Sequence, residues 1–426
     1  MNAPNDAATG VEALEVQPTS GKRLAGIEGL RAAAALSVML GHFNLHLVPA
    51  EMVPPLGQKI LNVAGQGLTL FFVLSGFLLF GPFLTAAARS RPLGIPRYFA
   101  NRFLRIYPAY AVIFLAVACG FGLAYVSPVS LTNTGVEGVG ETVGRMTDPG
   151  AILANLFLVH TLLPSTIKTG LGVSWSLTAE ICFYLVLPVL AVAAVRLSAR
   201  WGLDRAALAV SLGMIAEGLV CRTVGNMQLH GDAATQFYQQ WGGNWLAVYL
   251  RSILCQADLF GVGMLAAIAY RHSQTLTARE ARLRFRRWLY AAAAAGIVLS
   301  RIEHEFGFAS FFAALLLIVT TETASGRPQW LVTLLEWHPI RWIGVISYSF
   351  YLWHLPVIWG VHKWLLHDER PHTLLLVLMS FAAVLLITIS LSAITYLTVE
   401  RPALLLKSRP ARKRSAEALA LRGTAN

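Results

Sequence analysis

The sequence predicts an all-α, polytopic membrane protein with about ten transmembrane helices and both termini in the cytoplasm. Three observations predict it. Hydrophobic residues make up 56% of the 426 and charged residues only 13%, with a mean hydropathy of +0.58. A soluble domain would carry about twice that charge. Apolar runs long enough to cross a hydrocarbon core of about 30 Å recur along the chain. The net charge of +12 is concentrated in short segments between those runs. That is the positive-inside pattern, which argues against a nucleic-acid partner.

The first 22 residues are polar and lack the charged start and apolar core of a cleavable signal peptide. They are expected to be a disordered cytoplasmic tail. The expected spans are approximately 24–48, 62–88, 104–126, 174–196, 206–224, 245–270, 288–302, 308–323, 342–361 and 373–399. Together they form one transmembrane domain over 23–405, followed by a basic cytoplasmic tail, 406–426. The segment 150–164 is apolar but short, and is expected to be re-entrant or interfacial. Counting it as a crossing would put the Arg271–Arg287 cluster outside, against the charge rule. The residues 127–150 hold Glu137, Glu141 and Asp148 against Arg145, as suits an outer segment. Cys119, Cys182, Cys221 and Cys255 show no CxxC spacing and read as small buried hydrophobes, with no metal site expected.

Ionisable side chains inside apolar spans are costly unless they face a protein interior or a polar cavity. In the first span Arg31 and His42 are eleven residues apart. They return to nearly one helix face, about 16 Å apart along the axis. A neutral imidazole at His42 could take a proton from an attacking hydroxyl, or could simply be a packing histidine. Glu180 follows the helix-start residues Ser174 and Ser176, with Tyr184 four residues on. It is a structural carboxylate or the acid that orients His42. Arg102 and Arg105, three apart, share a face at the entrance of the third span. Their forks suit phosphates as well as topological anchoring. Ser347, Tyr351 and His354 share a face of the ninth span. Ser75 sits among small residues in Phe71-Phe72-Val73-Leu74-Ser75-Gly76-Phe77, and Glu400-Arg401-Pro402 reads mainly as a helix stop and anchor.

These pieces, in this order, resemble the acyltransferase-3 family of integral membrane O-acyltransferases. The resemblance rests on Arg31 with His42, the 71–77 run, Arg102-Phe103-Leu104-Arg105-Ile106-Tyr107-Pro108, Trp175-Ser176-Leu177 with Glu180 and Phe183-Tyr184, Tyr351-Leu352-Trp353-His354-Leu355-Pro356, and Glu400-Arg401-Pro402. It covers about 24–402. It implies ten spans in a bacterial inner membrane and transfer of an acyl group, often acetyl, from acyl-CoA. The donor is a co-substrate, with no tightly bound cofactor. The implied acceptor is a hydroxyl of a cell-envelope glycan, a glycolipid or a natural product. By the same resemblance His42, Glu180 and Arg31 are catalytic, and Arg102 and Arg105, with Arg31, hold acyl-CoA. Ser75, Trp175, Ser176, Tyr184, Tyr351 and His354 are expected to line the acceptor side or the pocket. The alternative is a proton-coupled transporter or exporter, whose paths also use intramembrane Arg, His and Glu. Such proteins often show repeated halves, and none is seen here.

Overall fold

A computed structural model describes residues 23–127, 143–321 and 330–406. Both expected tails and most of the acidic 127–150 segment lie outside the described residues. The described chain is almost wholly helical, with a single two-stranded sheet among those residues.

The chain opens with α1 (Ile27–Leu47), entered through Gly26 at φ 81°. The second expected span is two helices. The amphipathic α2 (Pro55–Ala64) is followed by α3 (Gly67–Ala88), and the break falls at Gly65–Gln66. α4 (Ile95–Leu115) starts nine residues before the expected 104 and runs on as a π-turn to Phe121. The apolar run hid that start because the first turns of α4 are basic and half-exposed. Strands β1 (Ala124–Tyr125) and β2 (Val143–Gly144) pair antiparallel, and Tyr125 also bridges Gly170. Segment 150–164 contains α5 (Pro149–Leu156), whose eight residues are far too short to cross.

α6 (Trp175–Trp201) and α7 (Leu203–Asn226) are joined through Gly202. α8 (Ala233–Trp241) and α9 (Trp245–Leu250) precede α10 (Ile253–Ser273). Arg251 and Ser252 interrupt what the sequence reads as one span. α11 (Arg279–Leu299) and α12 (His304–Thr320) form a hairpin. The ninth expected span is also split. α13 (Trp330–Leu335) and α14 (His338–Val345) lead to α15 (Ser347–Gly360), with the break at Ile346. α16 (Leu374–Thr395) continues through a π-turn, Tyr396–Glu400, into α17 (Arg401–Leu405).

Six of these helical stretches are long and apolar enough to cross a membrane: Gly67–Ala88, Ile95–Phe121, Trp175–Trp201, Leu203–Asn226, Trp245–Ser273 and Leu374–Leu405. The other expected spans are shorter, split or interrupted by charge. α3 and α10 run parallel, with Phe72 against Phe260 and Phe77 against Tyr270, so their C-terminal ends lie at the same end of the bundle. An ion pair between Arg271, late in α10, and Asp204, early in α7, marks one end at 2.9 Å. The Arg89–Arg97 connection belongs to this basic end.

α10 is the central helix, packed on α3, α6, α7 and α12. The α3–α10 seam depends on glycine. A Cβ on Gly76 would collide with the Phe260 carbonyl and sit 3.0 Å from the Gly263 Cα. Gly67 in the same way lies against the Ala34 carbonyl of α1. Close backbone approach, expected for this small-residue helix, thus fixes α3 between α1 and α10.

Candidate active site

α1, α3, α4, α6 and α15 enclose an open cavity of about 770 Å³. Arg31, Ser75, Arg102, Arg105, Glu180, Ser176, Tyr184 and Tyr351 all line it. Residues from five helices, up to 320 positions apart, therefore converge on one space.

The cations are placed first. Arg102 and Arg105 project from one face of α4. The Arg105 Nη1 lies 2.8 Å from Glu400 Oε1. Glu400 is 1% exposed, and its other oxygen accepts from Ser349 Oγ at 3.0 Å. Sequence reasoning took Glu400 for a helix stop. The π-turn at Tyr396–Glu400 brings it inside the bundle instead. The available signal was an acid at the end of a long apolar run. Arg31 donates from Nε to Ser347 Oγ at 3.1 Å. Arg102 has no ion pair among the described residues. Its guanidinium lies 5.9 Å from the Tyr184 ring centroid, and its buried Nε has no hydrogen-bond partner.

Glu180 of α6 lines the same cavity. Its Oε1 accepts from Ser75 Oγ at 2.7 Å and from Tyr184 OH at 2.5 Å. Ser174 occupies the N-cap position of α6, but its hydroxyl donates back to the Leu171 carbonyl rather than capping the helix. At one limit of the cavity Tyr351 OH and Ser176 Oγ are 2.7 Å apart, and Phe71 packs edge-on against Tyr351.

His42 is not a lining residue. It is linked to the lining through His354, whose ring centroid is 5.1 Å from that of His42 and 5.6 Å from that of Tyr351. The His42 Nδ1 is 3.1 Å from His354 Nε2 and 3.1 Å from the Val38 carbonyl. A proton on that Nδ1 would serve both acceptors and leave Nε2 of His42 with a free lone pair. The side chain that meets His42 is therefore His354, whereas Glu180 bonds Ser75 and Tyr184. Sequence reasoning paired His42 with Glu180 and placed His354 only in the pocket. It had no signal for a contact across 312 positions. Beyond His42, His46 stacks parallel to it at 6.2 Å, and Trp359 lies 4.8 Å from His46. Trp175 also stands outside the lining, against Trp241 of α8.

All four cysteines are free thiols. Among the described residues no group of three or more His, Cys, Asp or Glu could hold a metal ion.

A family model described as an acyltransferase domain matches residues 24–397. Peptidoglycan O-acetyltransferase OatA of Listeria monocytogenes is 24% identical over 80% of this chain and 50% of its own length. Putative peptidoglycan O-acetyltransferase YrhL of Bacillus subtilis is 25% identical over 78% of this chain and 48% of its own. The chain thus spans about half the length of these two relatives. Acyltransferase MdmB of Streptomyces mycarofaciens is 27% identical over 80% of both chains. No solved structure matches.

Proposed function

The chain belongs to the acyltransferase-3 family and is an enzyme that transfers acyl groups other than aminoacyl groups, and from that premise we propose a membrane O-acyltransferase that draws its acyl group from acyl-CoA. The observation that supports this is the cluster of three arginines on one cavity, with Arg102 unmatched by any described carboxylate. Anionic phosphates are the chemistry such a cluster suits. The basic end of the bundle is cytoplasmic in this proposal, as charge placement favours, with ten crossings and both termini inside. Acyl-CoA enters there, its phosphates held by Arg102, Arg105 and Arg31, and its thioester reaches the Tyr351–Ser176 end.

The acceptor is a hydroxyl of a cell-envelope glycan, and the acyl group is acetyl. The relatives' names support both choices. His42 Nε2 takes the hydroxyl proton as the oxygen attacks the thioester carbonyl carbon. The C–S bond breaks, the ester forms, and the proton passes to the departing thiolate. His354 holds the His42 tautomer that makes this possible. Tyr351 lines the cavity and its ring lies 5.6 Å from that of His354, so the cavity and the histidine pair meet at this residue.

The test uses the full-length protein in nanodiscs with radiolabelled acetyl-CoA and an envelope glycan extract. His42→Ala should lower acyl transfer about 10²–10⁴-fold while thermal unfolding stays close to wild type. Undiminished transfer by a folded His42→Ala protein would refute the base. Proton-coupled substrate flux without CoA release would favour the transporter.

A further inference from the structure

Glu180 lines the cavity yet takes no part in the proton transfer proposed above. It belongs to a stripe of α6, Ser176, Glu180 and Tyr184, whose members all line the space. Residues four apart stand on one helix face, about 6 Å apart along the axis. Ser176 meets Tyr351 at one limit of the cavity, and the Tyr184 ring lies 5.9 Å from the Arg102 guanidinium. Glu180 is therefore midway between the place proposed for the thioester and the place proposed for the phosphates.

Its carboxyl group is held by one oxygen only. Ser75 Oγ and Tyr184 OH both donate to Oε1. Oε2 accepts no hydrogen bond from a described residue, and it is not sealed within the packing as Glu400 Oε1 is. Arg105 pairs with Glu400, and no arginine among the described residues forms an ion pair with Glu180. Tying α3 to α6 does not require an acid, because a glutamine oxygen would accept the same two hydroxyls. The acid adds a second acceptor, which the described protein leaves unused. Phe72, Leu74, Leu78, Ile106 and Leu177, which also line the cavity, offer a ligand no acceptor.

The chemistry of the donor supplies the complement. Between the diphosphate of acyl-CoA and its sulfur runs the pantetheine arm, whose polar groups are one hydroxyl and two secondary amides. Phosphates held on one side of Glu180 and a thioester on the other draw that arm across Oε2. An amide N–H taken out of water into a largely apolar channel needs an acceptor. A carboxylate oxygen gives it a short, charge-assisted bond.

We infer that Glu180 is a donor-binding residue, whose Oε2 accepts from an amide N–H of the pantetheine arm and sets how far the thioester reaches toward Tyr351 and Ser176. The carboxylate serves the placement of the thioester, whereas His354 holds His42. This rests on the acyl-CoA reading above, and donors with and without phosphates separate its failure from the failure of that reading.

The experiment measures acyl transfer and thiol release by full-length protein in nanodiscs. The acceptor is an envelope glycan extract, and the two donors are acetyl-CoA and S-acetylpantetheine. The second donor keeps both amides and lacks every phosphate. Glu180→Gln keeps the oxygen that Ser75 and Tyr184 hold and turns the other acceptor into an amide donor. It should raise the KM for both donors about tenfold or more, with kcat within about threefold of wild type. Arg102→Gln should raise the KM for acetyl-CoA and not that for S-acetylpantetheine. Tyr184→Phe removes one hydroxyl from Oε1 and should give a smaller rise for both donors, which is the second reading if Glu180→Gln fails to fold. Unchanged KM values in Glu180→Gln, a rise for acetyl-CoA alone, or a loss confined to kcat would each overturn the inference. The last of these would return Glu180 to proton transfer. Wild-type protein that takes acetyl from neither thioester would refute the acyl-CoA reading, and this inference would fall with it.

Discussion

Two groups of arginine, one buried and one half-buried beside the cavity, differ in how their charge is met. In one, Arg222 of α7 lies among three carboxylates. Its Nη1 and Nη2 meet Asp258 Oδ1 and Oδ2 at 3.1 and 2.5 Å, and Nη1 also meets Glu305 at 3.0 Å. Glu303 approaches its Nε at 3.8 Å. Asp258 is fully buried and Gly218 packs against it, so no space is left. In the other, Arg31, Arg102 and Arg105 border a cavity. There Arg105 has Glu400, Arg31 has a serine hydroxyl and Arg102 has an aromatic ring. A cluster whose charge is met by carboxylates and which has no free volume ties α7, α10 and the start of α12 together, although Arg222 Nε itself has no hydrogen-bond partner. A cluster with fewer carboxylates than cations, bordering a void, is what the proposed acyl-CoA site requires. The distinction comes from stoichiometry and space, since each group brings the same side chain.

The largest effect that would sharpen this contrast is at Arg222. Arg222→Ala leaves Asp258 buried without its partner and should lower stability by about 3–5 kcal/mol, read as thermal or denaturant unfolding in nanodiscs. The KM for acetyl-CoA of the surviving folded enzyme should not move. A changed KM at preserved stability would break the comparison.

Arg102→Gln should do the reverse. Its guanidinium has no described carboxylate to abandon and only a long contact with the Tyr184 ring, so stability should stay within about 0.5 kcal/mol of wild type. Loss of a charge-assisted contact to phosphate, about 1.5–3 kcal/mol, should raise the KM for acetyl-CoA roughly 10- to 100-fold. An unchanged KM would remove Arg102 from the donor site.

Helical runs were legible because apolar stretches of spanning length have few alternatives. Their breaks at Gly65–Gln66, Arg251–Ser252 and Ile346 were not. Composition stays apolar through two of them, and the bend is set by neighbouring helices. The chemistry at the cavity was readable by type, because Arg31, Arg102, Arg105 and Glu180 are too costly in apolar segments to be incidental. Pairing was not readable. Glu400 meets Arg105 and His354 meets His42 only once helices remote in the chain pack together.

The seam between α3 and α10 carries one more consequence. Ser75 is the immediate neighbour of Gly76, so the hydroxyl that steadies Glu180 hangs from the point where two backbones touch. Hydrogen atoms there stand where any other residue would place carbon. A single methyl at Gly76 or Gly263 would act as a wedge, widening the chamber from behind and pulling Ser75 off its carboxylate without altering one group that faces the ligand.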